Sequence, residues 1–295
     1  MKNILIIGGT GFLGSAIAGA LVRRATVDGG CINLTLPTRR RERAKHLLVL
    51  PTARVVEADV HDPAALAGLM RGQDAVISLV GILRGDFQRT HADLPARVAE
   101  AAKAAGVRRI VHVSALKAGA DAPSDYLRSK AAGEAALRAS GLDVTILRPS
   151  VIFGRGDSFL TLFAGLAALA PFFPLACADA RFQPVWVGDV AAVVADSLER
   201  SESVGKTYDV GGPKVYALRE LVAYAARISG HPRVVIGLPH AIGWLQAWAM
   251  EFVPNGPMTR DNIRSMQIDS VCETDDGLPF GRVPASLETV APGYL

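Results

Sequence analysis

Apolar and polar positions alternate with two different periods along the first half of the chain. Short apolar runs, typical of strands buried on both faces of a parallel sheet, are separated by longer stretches with helical spacing. The predicted strands are Asn3–Ile7, Ile32–Pro37, Arg54–Glu57, Ala75–Val80, Arg109–Val113 and Val144–Leu147. The predicted helices between them are Phe12–Arg24, Arg40–Leu50, Pro63–Met70, Leu94–Ala105 and Ser124–Ser140. This order predicts an α/β protein with a Rossmann-type doubly wound parallel sheet, whose carboxyl strand ends form one ligand-binding edge.

After Pro149 the pattern becomes less regular. The further predicted elements are a strand over Arg181–Val187, a helix over Asp189–Arg200, a strand over Thr207–Val210, helices over Leu218–Ser229 and Ala241–Phe252, and an irregular segment over residues 256–295. We therefore expect a Rossmann domain over residues 1–152 and a mixed region over residues 153–295. The mixed region is expected to add late elements of the same sheet, at about 181–210, and a smaller C-terminal α/β subdomain on the substrate or partner side.

Composition and charge exclude several classes of protein. The chain has 295 residues, of which 50% are hydrophobic and 20% charged, so it can bury a large core. Its net charge of +4 is scattered, and no basic stripe is interleaved with aromatic residues, which argues against a nucleic-acid partner. The three cysteines, Cys31, Cys177 and Cys272, are widely spaced and odd in number. This usage predicts reduced thiols in a cytoplasmic protein and no metal site.

The N-terminal stretch between Lys2 and Arg23 carries no charge and so resembles a signal peptide or a membrane span. Its glycines, clustered in Gly8–Gly14, would weaken a continuous helix. A strand, a turn and a helix therefore describe this stretch better than a span. A second uncharged stretch, Phe159–Ala178, is broken by two prolines and is predicted to be a buried or surface-lying segment.

The turn after the first predicted strand reads GGTGFLG, with glycines spaced as G-x-x-G-x-x-G. Gly8 allows a tight turn, Gly11 lets the backbone approach a pyrophosphate, and Gly14 lets the helix pack closely on the strand. Free N–H groups and the helix dipole at the start of the next helix attract the pyrophosphate. A plain tight turn is the alternative, but the strand before it and the helix after it favour a dinucleotide cofactor.

The end of the second predicted strand distinguishes the two nicotinamide dinucleotides. An acidic residue there holds the ribose 2′-hydroxyl of NAD(H), whereas basic residues hold the 2′-phosphate of NADP(H). This sequence has Thr38, Arg39 and Arg40 at that position, and Asp28 comes before the strand. Because the planar guanidinium group suits phosphate, NADP(H) is the expected cofactor and NAD(H) the alternative. A solvated helix start would also explain the basic run.

Asp59 directly follows the third predicted strand. Its carboxylate can accept a hydrogen bond from the adenine amino group of a dinucleotide. It can also cap the helix that begins at Pro63, although Asp62 is better placed for that role. We favour the adenine contact.

A candidate catalytic set follows the fifth predicted strand. Ser114 comes directly after the strand, and Tyr126 and Lys130 form a Y-x-x-x-K arrangement. Four-residue spacing places both side chains on one helix face, where the ammonium lowers the phenol pKa and can hold ribose hydroxyls. Ser114 can then hydrogen-bond the reacting oxygen. A surface Tyr–Lys pair is the alternative, but its position after a strand-end Ser favours an active site.

The histidines do not form a metal-binding pattern. His112 alternates with apolar strand residues, which indicates a position in the core or at a sheet edge. His46, His61 and His91 are isolated and lack the spacing of metal ligands, so no metal is expected.

These motifs together resemble the short-chain dehydrogenase/reductase superfamily, in the extended and atypical branch that includes NAD-dependent epimerases and dehydratases. The resemblance extends to about residue 240 and is carried by GGTGFLG, ADVHD, ISLVG, VHVSAL, YLRSK, LRPSVIFG and FQPVWVGDVA. PTRRRERAKHL, YLRSKAAGE and RPSVIFGRGDSFL are similar to segments of the NDUFA-nine-type accessory subunit of respiratory complex I and its bacterial relatives.

The resemblance implies roles for particular residues. Those at the cofactor are Gly8, Thr10, Gly11, Phe12, Leu13 and Gly14 along the pyrophosphate, Arg39 and Arg40 at the 2′-phosphate, Asp59 and Val60 beside adenine, Leu79, Val80 and Gly81 beneath the ribose, and Pro149, Val151 and Ile152 by the nicotinamide. Tyr126 and Lys130 occupy the catalytic pair. Ala115 stands where sugar-nucleotide epimerases carry a second Ser or Thr, and Ser78 stands where many relatives have Asn. These departures argue against sugar-nucleotide chemistry but leave cofactor binding unaffected.

Two classes of function are open. One is an NADPH-dependent oxidoreductase, or an epimerase or dehydratase-like enzyme, acting on a sugar nucleotide, a quinone or another small molecule. The other is a cofactor-stabilised accessory or assembly protein of respiratory complex I or quinone metabolism, with little or no turnover. The apolar stretches 159–178 and 238–253 favour contact with a membrane surface, a partner or a quinone, and they suit an ordinary core equally well. We expect a cytoplasmic protein, with peripheral contact at the inner face of the membrane as the alternative.

Overall fold

The structure is a computed structural model, and it describes residues 2–27, 29–169, 171–253, 256–274 and 277–295. Asp28, which the sequence places before the second strand, lies outside the described residues. The strands are β1 (Lys2–Ile7), β2 (Ile32–Thr38), β3 (Ala53–Glu57), β4 (Ala75–Ser78), β5 (Arg109–Val113), β6 (Asp143–Pro149), β7 (Ile152–Phe153), β8 (Phe172–Leu175), β9 (Arg181–Phe182), β10 (Val185–Trp186), β11 (Thr207–Val210), β12 (Tyr216–Ala217) and β13 (Val234–Gly237).

Helices connect most of these strands. The α-helices are α1 (Phe12–Val27), α2 (Pro63–Met70), α3 (Leu94–Ala104), α4 (Asp125–Arg138), α5 (Leu160–Ala167), α6 (Val187–Glu199), α7 (Leu218–Ile228), α8 (His240–Glu251), α9 (Arg260–Ser265) and α10 (Leu287–Val290). Short 3₁₀ helices span Arg41–Leu47, Ser201–Ser203, Pro279–Gly281 and Ala291–Gly293, and a π-helical segment, Gln88–Asp93, leads directly into α3.

The central sheet has seven strands in the order β11-β6-β5-β4-β1-β2-β3, and every neighbouring pair is parallel. The chain starts in the middle at β1, builds outward to β3, and then returns to the other side of β1 from β4 onward. The expected Rossmann-type doubly wound sheet is therefore confirmed. The switch of direction between β1 and β4 opens a crevice at the carboxyl ends of the strands, where ligands of such sheets bind.

Both faces of the sheet are covered, because alternate residues of each strand point to opposite sides. On β1, Ile4 and Ile6 pack in the core formed with α1 and α6, whereas Leu5 and Ile7 pack in the core formed with α2, α3 and α4. All four side chains are 0–1% exposed. Burial of each such side chain contributes about 1.5–3 kcal/mol, which explains why these strands are continuous apolar runs.

Two predicted elements differ from the structure. The helix predicted over Arg40–Leu50 is only a 3₁₀ helix, Arg41–Leu47, and its N-terminal residue Arg40 makes no side-chain cap. The strand predicted over Arg181–Val187 is divided around Pro184 into β9 and β10, which pair with β12 and β7. A dense run of like charges disfavours a regular helix, and a proline cannot donate a ladder hydrogen bond.

The segment predicted to be irregular, residues 256–295, contains α9 and α10. Each helix begins at a side-chain cap: the Thr259 hydroxyl accepts from the Asn262 N–H at 3.2 Å, and the Ser286 hydroxyl accepts from the Thr289 N–H at 3.2 Å. Both helices are too short to show an apolar period, although their capping residues are recognisable in the sequence.

The C-terminal region packs beside the carboxyl edge of the sheet. Its parts are the parallel pair β8–β13, the antiparallel pair β9–β12, the contacting helices α5 and α7, and the helices α8 and α9. β11 belongs to the central sheet instead, because it pairs with β6 from Thr207 to Val210. Within the described ranges, we find no helix with the length and apolarity needed to cross a bilayer.

Candidate functional site

The glycine turn connects β1 to α1 at the centre of the carboxyl edge. Gly8 has a φ of +87°, and the N–H groups of Gly9 and Gly11 donate to the carbonyls of Ile6 and Gly8 at 3.0 and 3.1 Å. A Cβ on Gly14 would lie 2.5 Å from the Gly9 Cα, so Gly14 lets α1 pack against the turn. A Cβ on Gly11 would meet nothing nearer than the Gly8 carbonyl at 3.4 Å, which leaves open space above the turn.

The basic segment lies at the end of β2, beside the glycine turn. The Arg40 N–H donates to the Thr38 hydroxyl at 3.3 Å, and the side chains of Arg39 and Arg40 are exposed. Neither guanidinium forms an ion pair with any carboxylate among the described residues. Both charges therefore point into solvent at the edge where the ribose of a dinucleotide would lie.

Asp59 and Asp62 have different roles at the end of β3. The Asp62 carboxylate accepts from the Ala64 N–H at 3.0 Å and caps α2. The Asp59 carboxylate accepts from the His61 N–H at 3.0 Å, one turn before the helix. Capping of α2 thus belongs to Asp62, and Asp59 and its neighbour Val60 lie half-buried at the carboxyl edge.

The segment Leu79–Gly81 joins the glycine turn to the candidate catalytic helix. The Leu79 N–H donates to the Ile7 carbonyl at 2.9 Å, and a Cβ on Gly8 would lie 3.3 Å from the Leu79 backbone. A Cβ on Gly81 would lie 3.3 Å from the Lys130 ammonium nitrogen. The sequence placed Gly8, Gly81 and Lys130 in separate motifs, and the structure brings them together at the carboxyl edge of the sheet.

Tyr126 and Lys130 occupy the first two turns of α4, whose N-terminus is capped by the Ser124 hydroxyl. The Lys130 ammonium reaches the Val113 carbonyl, the last of β5, at 3.4 Å. Tyr126 packs against the small buried cluster formed by Ala115, which follows Ser114, with Ala122 and Leu127. Ser114 is 5% exposed, and its hydroxyl has no hydrogen-bond partner in the described part of the chain. The three candidate catalytic residues thus converge where β5 ends.

The pKa of the tyrosine differs from the sequence-based expectation. Burial raises the pKa of Tyr126 to about 12, whereas the sequence predicted a lowered value. Burial also lowers the pKa of Lys130 to about 8, opposed by the negative charge of Glu134 one turn further along α4. Glu134 is fully buried and accepts from Arg148 at 2.6 and 2.8 Å. Desolvation therefore dominates at both residues, and it favours a protonated phenol.

The segment after β6 lies against the glycine turn. The Val185 N–H donates to the Val151 carbonyl at 3.0 Å, and Ile152 pairs with Val185 in the β7–β10 ladder. A Cβ on Gly154 would lie 3.6 Å from the ring of Phe12, at the start of α1. The chain just after Ile152 therefore lies beside the start of α1.

Three residues near the site have no signal in the sequence. The two carboxylate oxygens of Asp261, on α9, accept from the N–H groups of Asp125 and Tyr126 at 2.8 and 3.1 Å. Arg84 donates to the carbonyls of Gly256 and Met250 at 3.0 and 3.3 Å. His91 packs against Tyr126 at a ring-centroid distance of 5.4 Å. Each contact joins residues distant in sequence, so no local pattern could have revealed it.

A cavity of about 420 Å³ lies in the C-terminal region, between the segment Ala176–Ala180 and the start of α8. Its wall includes Ile263 and Met266 from the end containing α9. Asp261, on the same helix, accepts hydrogen bonds from the start of α4. Helix α9 therefore contributes to the cavity wall and also holds the candidate catalytic helix. The cavity is a candidate site for part of a substrate.

A nicotinamide dinucleotide fits the residues present at the carboxyl edge. The turn leaves room over Gly11, the start of α1 offers free N–H groups, and the Lys130 ammonium lies beside Gly81. The Ser114 hydroxyl is a buried polar group without a described partner, as expected of a group that bonds to a ligand. The arrangement can bind an anionic cofactor and present a hydroxyl, a phenol and an ammonium to a second molecule.

Comparisons with known proteins agree with this geometry. A family described as NAD(P)H-binding matches residues 8–157. The mitochondrial NADH dehydrogenase (ubiquinone) 1 alpha subcomplex subunit 9 of Rattus norvegicus is 31% identical over an alignment of 299 residues, covering 96% of this chain and 77% of that protein. A ceramide reductase of Caulobacter vibrioides is 34% identical over 242 residues, covering 80% of this chain and 73% of that protein.

Among solved structures, an NADPH-dependent quinone oxidoreductase of Escherichia coli complexed with NADPH is similar over 98% of both chains. The TM-score is 0.76 and the sequence identity is 26%. The sequence-based resemblance to the short-chain dehydrogenase/reductase superfamily and to the complex I accessory subunit is therefore confirmed. The chain belongs to the NAD(P)H-binding family, with a reductase- and epimerase-like Rossmann fold and the complex I subunit 9 proteins among its relatives.

Proposed function

We propose that this protein is an NADPH-dependent reductase whose catalytic residues are Ser114, Tyr126 and Lys130. The observation that carries the proposal is the Ser114 hydroxyl, which is buried without a described partner at the strand end that Lys130 contacts. A buried hydroxyl without a hydrogen bond lowers the free energy of unfolding by about 1–3 kcal/mol. A hydrogen bond to the carbonyl oxygen of a bound substrate removes this cost. A surface Tyr–Lys pair would not bury such a group.

In this proposal the N-terminal half binds the cofactor, and residues 153–295 supply the substrate or partner side. The cofactor-binding residues are Gly8, Thr10, Gly11, Phe12, Leu13, Gly14, Arg39, Arg40, Asp59, Val60, Leu79, Val80, Gly81, Tyr126, Lys130, Pro149, Val151 and Ile152. The exposed guanidinium groups of Arg39 and Arg40 favour NADPH over NADH, since they offer charge-assisted bonds to a 2′-phosphate.

The bound nicotinamide would supply the hydride. The chain's own residues then supply the proton and the orientation: Ser114 hydrogen-bonds the carbonyl oxygen, and the phenol of Tyr126 donates its proton to that oxygen. Burial keeps the pKa of Tyr126 at about 12, so the phenol holds its proton at neutral pH. Reduction uses the protonated phenol as the donor, whereas oxidation uses the deprotonated form as the base, so the resting protonation state suits reduction. Lys130 holds ribose hydroxyls and supplies positive charge.

Quinones and other carbonyl compounds with an apolar part are the proposed substrate class. The cavity beside α8 and α9 offers an apolar wall with Ile263 and Met266. Ala115 removes the second hydroxyl that sugar-nucleotide epimerases carry after the first serine, which makes epimerisation the weaker alternative. A quinone oxidoreductase and a ceramide reductase among the similar proteins act on such molecules by name.

Titration with NADPH and NADH, followed by steady-state turnover on a panel of quinones and sugar nucleotides, tests the proposal. Gly11→Val is expected to abolish NADPH binding while the fold persists, because its Cβ enters only the open space over the turn. Gly19→Ala, on the helix α1 that follows the turn, is the matched control and keeps affinity. Normal NADPH affinity in Gly11→Val, or turnover confined to sugar nucleotides, would contradict the proposal.

The second candidate is an accessory or assembly protein of a respiratory complex or of quinone metabolism, held together by its cofactor. The exposed apolar side chains on α8 and at its C-terminal end favour it, since Ile242 and Leu245 on the helix and Phe252 directly after it are 52%, 60% and 73% exposed. Such a protein would bind NADPH and a partner or a membrane surface at the inner face of the membrane, without turnover on any panel member. Two measurements distinguish it from the reductase. They are sedimentation with lipid vesicles and co-purification with a partner, each made on protein that still binds NADPH.

A further inference from the structure

His91 lies beneath the candidate site on the π-helical segment that leads into α3, and it is 1% exposed. Its backbone carbonyl packs directly against Gly133 on α4, where any side chain would collide with it. Single-turn π-helical segments of this kind are often found at functional sites. The segment places the imidazole between the Gly81–Ile82 backbone and the first turn of α4.

Both ring nitrogens of His91 are hydrogen-bonded, and the bonds fix the tautomer. The Ile82 N–H donates to Nε2 at 2.9 Å. The Ser129 hydroxyl donates its only proton to the Tyr126 carbonyl at 2.7 Å, so it can only accept from the His91 Nδ1, 3.0 Å away. His91 is therefore neutral, with its proton on Nδ1. Burial and the nearby Lys130 charge lower the pKa of His91 to about 3, so this form persists at all working pH values.

Aromatic packing holds the ring in place. The His91 ring stacks on Phe87 at 5.5 Å with an interplanar angle of 13°, and it meets the Tyr126 ring edge-on at 5.4 Å and 84°. Phe87 also meets Tyr126 edge-on at 6.0 Å. The imidazole thus touches the ring of the proposed proton donor, and its Nε2 lies 3.9 Å from the place of a Gly81 Cβ.

We propose that His91 is a positioning residue that connects the Gly81–Ile82 backbone, on the cofactor side, to the Tyr126 turn of α4 through Ser129. The inference rests on the proposed function, because it takes Gly81 and Tyr126 to lie beside the bound cofactor. The two ring nitrogens have separate roles. Nε2 fixes the backbone beneath the ribose, and Nδ1–H fixes the turn that carries the phenol.

The two roles can be separated by substitution. His91→Gln places its amide near the position of Nε2 and can keep the Ile82 bond, whereas His91→Asn places its amide near Nδ1 and can keep the Ser129 bond. His91→Phe keeps the ring and its packing but removes both bonds. Ser129→Ala breaks the connection to Tyr126 and leaves His91 itself in place, so a variant remains available if a His91 substitution does not fold.

The experiment combines three measurements on the full chain. Nitrogen-15 NMR of the histidines reports the His91 tautomer, amide hydrogen exchange reports the Ile82 N–H bond, and titration reports NADPH affinity. We expect the Nδ1–H tautomer in the wild type, and NADPH affinity about 5- to 10-fold weaker in His91→Asn and His91→Phe, as for loss of one buried hydrogen bond. His91→Gln is expected to stay within about 2-fold, with Ile82 still protected.

Turnover is expected to depend on the hydrogen bond from the His91 Nδ1–H to Ser129. His91→Gln and Ser129→Ala should lower kcat with little change in NADPH affinity, whereas His91→Asn should retain kcat at saturating NADPH. An imidazolium or an Nε2–H tautomer, or unchanged Ile82 exchange and NADPH affinity in His91→Phe, would overturn the inference. If the wild type bound no NADPH, the proposed function would fail, and the tautomer and exchange data would still decide whether His91 connects the two segments.

Discussion

The central sheet and helix α8 are both strongly apolar in sequence, yet they use their apolar residues in opposite ways. On β1, the side chains of Leu5, Ile6 and Ile7 are all 0% exposed. On α8, the buried residues are the small ones, Gly243 and Ala247, whereas Ile242, Leu245 and Trp248 are 52%, 60% and 45% exposed. Small residues allow close approach on the inner side, where Trp244 packs half-buried against the same cluster, and Ile242 and Leu245 on the outer side stay more than half exposed. Apolar composition alone therefore does not identify a core.

In the proposed site the two regions have different roles. The sheet edge supplies the groups with chemistry, such as Ser114 and Lys130. The C-terminal region supports the start of α4 and the segment around Arg84, because Asp261 accepts from the Asp125 N–H and the Met250 carbonyl at the end of α8 accepts from Arg84. Substitutions in the first region should change chemistry or cofactor affinity, whereas substitutions in the second should change geometry, stability or docking.

The largest effect is expected from Tyr126→Phe, which keeps the ring but removes the proton that the phenol donates. Turnover should fall about 10²–10⁴-fold while NADPH affinity stays nearly unchanged, since general acid catalysis contributes on that scale. Steady-state kinetics and a cofactor titration measure the two quantities. Tyr208→Phe, which alters a ring packed on Phe280 at the sheet margin, is the control and should keep full turnover. Full turnover in Tyr126→Phe would remove the catalytic assignment and leave cofactor binding intact.

Arg39→Asp should have the next largest effect. Loss of a charge-assisted bond to the 2′-phosphate is worth about 1.5–3 kcal/mol, which corresponds to about 10- to 150-fold weaker NADPH binding. NADH lacks that phosphate, so its affinity should change little. Arg43→Asp makes the same charge change on the 3₁₀ helix and serves as the control. Equal losses for both cofactors, or NADH ahead of NADPH in the wild type, would contradict the preference.

The sequence was sufficient for the parts of the molecule that depend on local patterns. Buried strands read as apolar runs, and the glycine turn carried its own spacing, so the fold and the position of the cofactor edge were predictable. Asp62 was also recognisable as the cap of α2. These features need only short-range geometry or the connection rules of parallel sheets.

The remainder depends on contacts between segments distant in sequence. His91 was isolated in the sequence, and its role follows only from the approach of Ile82 and Ser129. The pKa of Tyr126 was predicted in the wrong direction, because four-residue spacing indicates the neighbouring ammonium but not the depth of burial. Helices α9 and α10 were missed because they are short and held by capping residues and tertiary contacts rather than by a long apolar face.

The pH dependence of cofactor binding should show the ammonium of Lys130. Its pKa of about 8 means that the charge is lost above that pH, so NADPH affinity should fall about 10-fold between about pH 7 and pH 9. The free energy of unfolding should rise with pH, in the direction opposite to the change in NADPH affinity. The unfolded chain binds more protons than the folded one between pH 8 and the ordinary lysine value, so the free energy of unfolding rises with pH in that window. Lys130→Met should remove both dependences, and an unchanged affinity profile in that variant would contradict the assignment.

Asp261→Ala tests the contribution of the C-terminal region to the site. Two backbone N–H groups at the start of α4 lose their acceptor, so the free energy of unfolding should fall by about 0.5–2 kcal/mol. Turnover should fall with it, because Tyr126 loses one of the bonds that fix its backbone. Denaturant unfolding and kinetics measure both effects. Asp261→Asn keeps one oxygen acceptor and should show about half the loss of stability, whereas equal losses would indicate a charge effect of the carboxylate instead of capping.

The smallest effect on stability is expected on the outer face of α8. Ile242 and Leu245 are 52% and 60% exposed, so replacing both with Gln should change the free energy of unfolding by less than about 0.5 kcal/mol at each position. Ala247 on the inner face is fully buried against Ala176 and Ile263, so Ala247→Leu should cost about 1–3 kcal/mol. If the outer face contacts a membrane or a protein partner, the double substitution should weaken vesicle sedimentation or co-purification while NADPH affinity and Tm are unchanged. A large loss of Tm in the outer variant would mean that these side chains belong to a core, and the contrast between the two regions would disappear.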